Sequence, residues 1–120
     1  MILRDPQKLK VYLRIGNTDM RKSWNGLYGI IQEEMNLDPY SRSLFLFSGH
    51  SRKLIKVLYW DGNGFCIWQK KLRDGRFPWP DERSGKVSLT RRELNWLLRG
   101  IDYRKEHKER SEIAEIVLQS

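Results

Sequence analysis

The chain has 120 residues, of which 39% are hydrophobic, and this predicts one compact domain that folds without disulfides or metal ions. It contains no apolar run near the roughly 20 residues of a membrane span, no apolar signal-peptide stretch and only one cysteine, Cys66, so we expect a cytoplasmic protein without a membrane partner. The net charge of +8 arises mainly in residues 1–22 and 42–76, a local positive excess that is typical of nucleic-acid binding and is also compatible with a merely soluble basic surface.

The first part of the sequence predicts a strand followed by a helix. Residues 9–15 alternate apolar and polar positions, as in a half-buried strand. Thr18 or Asp19 can cap the helix that follows, and Asn36 and Pro39 would end it. The apolar positions of this helix recur every three or four residues and predict one core-facing stripe. That stripe consists of Met20, Trp24, Leu27, Tyr28, Ile31 and Met35.

A β-hairpin is predicted in the middle of the chain, after a short buried strand at residues 44–47. Segments 54–60 and 65–72 flank the residues Asp61-Gly62-Asn63-Gly64, a strong hairpin signal. Either Asp61-Gly62 or Gly62-Asn63 can be the central pair, and the register depends on which it is. With Gly62-Asn63 central, one face is apolar and the other partly basic, as in an antiparallel sheet covered on one side. The apolar face then carries Ile55, Val57, Tyr59, Cys66 and Trp68, and the other carries Lys56, Gln69 and Lys71.

The last predicted element is a helix with a clear start. The prolines of segment 77–80 exclude a central strand there, whereas Thr90 and Glu93 form a capping box flanked by the staple positions Leu89 and Leu94. Gly100 marks the end of this helix or a kink in it. The buried stripe is Leu94, Leu97, Leu98 and Ile101, and the helix-compatible tail beyond it carries an apolar patch of Ile113, Ile116 and Val117.

These elements predict an α+β fold. We expect a single small domain, residues 1–104, in which an antiparallel sheet with a central β-hairpin packs against two helices. Residues 105–120 would form a charged C-terminal helical extension.

The sequence gives little support for catalysis or metal binding. Two-metal catalysis needs carboxylates that converge on ions about 4 Å apart, and aspartates have ordinary roles in turns and helix caps that account for those present. The aspartates concerned are Asp19, Asp61 and Asp102. Cys66, His50 and His107 lack the spacing of zinc ligands. We therefore predict no enzyme, no catalytic residue, no metal and no cofactor.

Three groups of basic residues are candidates for nucleic-acid contact. Arg21 and Lys22 open the first helix, where cations oppose the helix dipole; an anion bound there and plain solvated charge are equal alternatives. The bases that flank the hairpin alternate with Trp60, Phe65, Ile67 and Trp68, which suggests a platform for a nucleic-acid backbone, although a core face with a solvated basic face is the competing interpretation. A recognition helix bearing Arg92, Asn95, Trp96 and Arg99 is only weakly indicated. The predicted contact set is Arg21, Lys22, Arg52, Lys56, Lys70, Lys71 and Arg76.

An ordered series of motifs resembles a known family of proteins. The series runs through Val11-Tyr12-Leu13, Gly16-Asn17-Thr18-Asp19-Met20-Arg21-Lys22-Ser23, Gly26-Leu27, Asp38-Pro39, Leu44-Phe45-Leu46-Phe47, Ile55-Lys56-Val57-Leu58-Tyr59-Trp60-Asp61-Gly62-Asn63-Gly64-Phe65, Gly75-Arg76-Phe77, Trp79-Pro80, Leu97-Leu98 and Gly100-Ile101-Asp102. In this order the motifs resemble the accessory protein of the second open reading frame (TnpB) of insertion-sequence-66 elements. The family usually has a run of arginines before Lys56, of which this chain keeps only Arg52 within residues 48–53.

The resemblance implies a role in DNA transposition beside a separate, larger transposase that carries the acidic catalytic site. It implies a non-catalytic bacterial accessory protein whose partners are the DNA of the element ends, the transposase and other element-encoded proteins. A pure protein–protein adaptor without DNA binding is the alternative. A nuclease or strand-transfer subunit is a third possibility, and the sequence leaves the oligomeric state open.

Overall fold

A computed structural model describes residues 9–80 and 85–108, and it confirms the predicted α+β class in a single small domain. One five-stranded sheet has the strand order β4-β3-β2-β1-β5. The elements are β1 Lys10–Ile15, α1 Trp24–Glu33, β2 Ser43–Ser48, β3 Leu54–Trp60, β4 Phe65–Lys71, β5 Gly85–Leu89 and α2 Arg91–Leu98. Residues 103–108 add a short third helix.

The sheet is antiparallel except for one pair of strands. β1 and β2 run parallel, so the chain between them must cross over one face of the sheet, and α1 lies in that crossover. β3 and β4 form the hairpin at one edge, and β5 pairs with β1 at the other. β5 was not predicted, because it has only five residues and its partner strand is more than 70 positions away.

The hairpin has the register that places Gly62 and Asn63 at the centre of its turn. Tyr59 pairs with Cys66, and the Asp61 N–H donates to the Gly64 carbonyl at 2.8 Å. Gly62 has φ 75°, and the Asn63 N–H donates to the Asp61 carbonyl at 2.8 Å, so a γ-turn centred on Gly62 reverses the chain. This settles the alternative that the sequence left open, and it confirms the predicted apolar face of the hairpin.

The sheet is covered on both faces, so the expectation of cover on one side was wrong. Successive side chains of each strand point to opposite faces of the sheet, so they contribute to two separate cores. In β3, Ile55 belongs to the core beneath α2, whereas Leu58 belongs to the core beneath α1. The α2 core includes Val11, Leu13, Leu44, Leu46, Ile55, Val57, Phe77, Trp79, Leu89, Leu94, Leu97 and Tyr103; the α1 core includes Leu27, Ile30, Ile31, Met35, Phe45, Phe47 and Leu58.

Helix α1 begins later than the sequence suggested. Its N-cap is Ser23, and neither Thr18 nor Asp19 caps it. Asp19 instead accepts hydrogen bonds from Arg21, which closes a turn ahead of the helix, and the Thr18 N–H donates to the Ser48 carbonyl at 2.9 Å. At the other end α1 stops at Glu33, and Asn36 has φ 54°, a conformation that continues no helix.

Helix α2 has the predicted capping box. The Glu93 N–H donates to the Thr90 hydroxyl at 3.1 Å, and the Thr90 N–H donates to the Glu93 carboxylate at 2.8 Å. Gly100, with φ 77°, ends the helix in a Schellman arrangement, since the N–H groups of Gly100 and Ile101 donate to the carbonyls of Leu97 and Trp96. The predicted tail patch of Ile113, Ile116 and Val117 lies outside the described residues.

Candidate nucleic-acid interface

Lys56 and Lys71 share the α1 side of the sheet, and the Lys56 ammonium reaches the backbone of Lys22. The Lys56 ammonium donates to the Lys22 carbonyl at 3.1 Å, and Lys56 pairs across the hairpin with Gln69. Lys71, two residues further along β4, therefore lies diagonally across from Lys56 on the same face. Gly26 accommodates the stem of Lys22, because a Cβ at that glycine would lie 3.1 Å from the Lys22 Cβ. We call Lys22, Lys56 and Lys71 the lysine face.

The lysines of this face form no ion pair within the described residues, but Asp19, Glu33 and Glu34 line the same pocket as Lys22. None of the ion pairs in residues 9–80 and 85–108 involves these lysines. The arginines of the same region are paired instead: Arg14 with Glu34, Arg21 with Asp19, and Arg73 with Asp74. The lysine face therefore contributes positive charge that no ion pair among the described residues holds.

Arg21 is next to Lys22 in the chain, but its guanidinium is paired with the carboxylate of Asp19. Its guanidinium donates to both oxygens of Asp19, at 3.0 and 2.9 Å, and its backbone N–H donates at 2.9 Å. These hydrogen bonds from the Arg21 side chain and backbone hold the pKa of Asp19 well below its usual range. Asp19 is therefore ionised at neutral pH and offsets the charge of Arg21, although 92% of the Arg21 side chain remains exposed.

The remaining members of the predicted contact set are placed elsewhere. Arg52 is buried, and its guanidinium donates to the carbonyls of Gly16 and Ser48, both at 3.1 Å. Lys70 points to the opposite face, where its ammonium donates to the Leu98 carbonyl at the end of α2. Arg76 is exposed in the loop after β4 and donates to the Ser51 carbonyl at 3.1 Å. Of the predicted set, the structure thus places Lys56 and Lys71 on one face of the hairpin, with the backbone of Lys22 at the Lys56 ammonium and Arg21 next to Lys22 in the chain.

A cluster of five aromatic rings adjoins the lysine face on the same side of the sheet. Phe65 lies at its centre, and its ring centroid is 5.0 Å from that of Trp60 and 5.3 Å from that of Tyr40. The ring of Trp24 stacks on Phe65 at 5.4 Å with an interplanar angle of 12°. A hydrogen bond with Tyr40 raises the pKa of Tyr28. We call Trp24, Tyr28, Tyr40, Trp60 and Phe65 the aromatic cluster.

Part of this cluster is exposed to solvent. Among the described residues the large hydrophobic side chains with high exposure are Trp24 at 50%, Tyr40 at 49% and Ile67 at 37%. Trp60, Phe65 and Ile67 lie on this face as the platform interpretation required, but Trp68 packs in the core beneath α2. The prediction that Trp24 faces the core was wrong, because the first turn of α1 lies over the edge strand β4, and the strand order could not be inferred from the sequence.

Each aspartate considered for catalysis has a separate structural role. Asp19 binds Arg21, Asp61 lies in the hairpin turn, and Asp102 accepts a hydrogen bond from the Arg104 N–H at 3.0 Å. Within the described ranges, no three histidine, cysteine or acidic side chains are grouped closely enough to hold a metal ion. In the same part of the chain, no helix combines the length and apolarity of a transmembrane span.

The exposed polar residues of α2 lie on the other side of the sheet from the lysine face. Arg92, Asn95 and Arg99 are exposed, whereas Trp96 is half-buried and its ring packs edge-on against His107 at 5.2 Å. His107 also contacts Glu93 at 3.2 Å, so helix 103–108 is fastened to α2. Burial raises the pKa of Glu93, but hydrogen bonds from Thr90 and His107 outweigh it and lower the pKa overall.

The structure thus defines a small α+β protein with basic residues and a partly exposed aromatic cluster on one side of its sheet. The family described as IS66 Orf2 like protein matches residues 9–108, and the chain belongs to this family. Membership gives the protein an accessory role associated with transposition of these insertion elements.

Two relatives come from Sinorhizobium fredii (strain NBRC 101917 / NGR234). The uncharacterized protein y4hO is 39% identical over 103 residues, which cover 86% of this chain and 90% of the relative. The uncharacterized protein y4jC is 27% identical over 95 residues, which cover 79% and 81% respectively. No solved structure matches the chain.

Proposed function

We propose that this protein is a non-catalytic accessory subunit of DNA transposition that binds element DNA through the lysine face. The observation that carries the proposal is that Lys56 and Lys71 lie on one face of the hairpin, with Lys56 bound to the backbone of Lys22, and that none of these lysines forms an ion pair within the described residues. Lysines of this kind bind phosphate oxygens and release counterions, which gives affinity for DNA with little sequence preference. Any preference for the element ends would then come from additional contacts.

Fluorescence anisotropy of the purified full chain tests this proposal. The protein is titrated against a labelled duplex from the terminal repeat of the element and against a scrambled duplex, over a series of salt concentrations. We expect binding to both duplexes that weakens steeply with salt. Replacing Lys22, Lys56 and Lys71 by Gln should remove about three phosphate contacts and reduce the slope of log K against log[salt] by roughly 2.7.

The matched control removes the same charge from the opposite side of the sheet. A variant carrying Arg91→Gln, Arg92→Gln and Arg99→Gln should retain the salt slope of the wild type, because these exposed residues belong to α2. If this control lost binding and the lysine variant did not, α2 would be the DNA-binding element. The absence of binding to any duplex at low salt would overturn the proposal.

The exposed part of the aromatic cluster favours a second candidate function, a protein–protein adaptor without DNA binding. Exposed apolar patches mark interaction surfaces, and Trp24, Tyr40 and Ile67 form one here. An adaptor would capture the transposase of the element with an affinity that changes little with salt. A pull-down of the transposase over the same salt series, with the lysine variant as comparison, separates the two candidates.

A further inference from the structure

We infer that the exposed ring of Trp24 is a stacking platform for an unpaired base, so that the ligand of this face is single-stranded DNA held by the lysine face. This inference rests on the proposed function, because the same lysines supply the phosphate contacts. It goes further by naming the form of the DNA and the residue that distinguishes it from a duplex.

The Trp24 ring has one face against Phe65, so a base could stack only on the other face. One face of its ring lies against Phe65, nearly parallel at 12°, and Tyr28 meets the ring edge-on at 87°. Among the described residues no aromatic ring covers the opposite face, and half of the surface of Trp24 is exposed. Phe65 therefore supports one face of the ring, and the exposed half of Trp24 is accessible to a planar ligand.

The position of Trp24 relative to the lysines suits a nucleotide. Lys22 is two residues before Trp24, and the Lys56 ammonium reaches the Lys22 carbonyl. The Lys56 ammonium therefore lies at the backbone just ahead of α1, so a phosphate bound there and a base stacked on Trp24 can belong to one strand. Alternation of aromatic rings and cations is how proteins bind single strands without sequence preference.

The length of the face sets the size of the ligand. From Phe65 to Lys71, strand β4 extends for about 20 Å at roughly 3.3 Å per residue. Stacked nucleotides advance by about 3.4 Å each, so this face holds at most about six of them. Ile67, Gln69 and Lys71 are the exposed residues along this line.

Two features favour a single strand over the other possible ligands. Bases in a duplex already stack on one another, so an open ring face gains nothing from a duplex, whereas every unpaired base can stack on it. Protein–protein interfaces are depleted in lysine, but here Lys56 and Lys71, which form no ion pair within the described residues, share the hairpin face with Phe65, on which Trp24 stacks.

The test measures the affinity of the full chain for a labelled oligothymidylate of about ten nucleotides, an oligouridylate of the same length and a duplex. Trp24→Leu should weaken oligothymidylate binding by roughly 5- to 150-fold, the equivalent of one lost base stack, and leave duplex binding unchanged. Trp24→Phe should restore most of this affinity, and the quenching of tryptophan fluorescence seen when the wild type binds should decrease. Trp96→Leu, which alters a half-buried tryptophan on the opposite side, should bind like the wild type.

Failure of the inference can be distinguished from failure of the proposed function. If Trp24→Leu kept full affinity for oligothymidylate while the lysine variant lost it, stacking would be refuted and the lysine face would stand. Tighter binding of oligouridylate than oligothymidylate would also overturn the assignment to DNA. Loss of transposase capture in Trp24→Leu, with single-strand affinity intact, would assign the ring to a protein partner.

Discussion

Arg52 joins three segments of the chain from inside the loop between β2 and β3. Its side chain donates to the carbonyls of Gly16 and Ser48, and its guanidinium lies 5.6 Å from the centroid of the Trp79 ring. Its own carbonyl accepts from the Phe77 N–H at 2.7 Å. The arginine has φ 59°, so the fold keeps it in a conformation that side chains rarely adopt.

We expect Arg52→Lys to destabilise the domain by about 1.5–3 kcal/mol, since hydrogen bonds from a charged group are lost and an ammonium lacks the planar fork that reaches two carbonyls. The comparison isolates the side chain, because both residues carry a Cβ and suffer the same backbone strain. Urea unfolding measures the change, with Lys53→Ala, an exposed neighbour, as the control. Unchanged stability together with weakened DNA binding would show that Arg52 serves the ligand rather than the fold.

At the scale of the element, the hairpin turn offers a paired test of backbone conformation. Gly62 has φ 75°, whereas Gly64 has no left-handed φ, and a Cβ added at either glycine would meet no atom within 4 Å. Substituting either one by alanine therefore introduces no steric clash. The two positions differ in the conformation that an alanine would be forced to adopt.

Gly62→Ala should cost about 1–2 kcal/mol, the penalty of a left-handed conformation, and Gly64→Ala should be close to neutral or slightly stabilising. Thermal unfolding of the two variants measures the difference. Equal costs at the two glycines would mean that the turn adopts another geometry in solution. The same hairpin orients Lys56 and Lys71, so Gly62→Ala should also weaken DNA binding if the turn rearranges.

The hairpin was predictable from sequence because its determinants are local. Two alternating segments and the residues Asp61-Gly62-Asn63-Gly64 specify the strands and the turn, but they left two registers open. The structure has the register with Gly62-Asn63 central, which places Lys56 and Lys71 on one face. The same register places Lys70 on the apolar face with Trp68. The role of Arg52 was not predictable, since it depends on contacts with residues 36 positions upstream and 27 positions downstream. For the same reason β5 and the exposure of Trp24 were missed, because both depend on which strands lie at the edges.

At the scale of the whole molecule, one sheet separates two cores. Every residue of β2 is buried, and its side chains alternate between the two sides: Leu44 and Leu46 pack beneath α2, whereas Phe45 and Phe47 pack beneath α1. Neither core can form without the strands that it shares with the other. The nucleic-acid interface that we propose on the α1 side therefore depends on packing on the α2 side.

Ile55→Ala and Leu58→Ala test whether the two cores unfold as one unit. Both residues are fully buried in β3, one on each side of the sheet, and each substitution should cost about 2–5 kcal/mol. Amide hydrogen exchange, read separately in α1 and α2, is the measurement. If the sheet couples the cores, either variant accelerates the slowest amides of both helices by the same factor. Acceleration confined to the helix on the mutated side would show that the cores open independently.

Ile67→Ala on the exposed face provides the control, and its free energy of unfolding should change by no more than about 0.5 kcal/mol. Where an alanine variant does not fold, Ile55→Val gives the same comparison with a smaller loss of stability, about 0.5–1.5 kcal/mol.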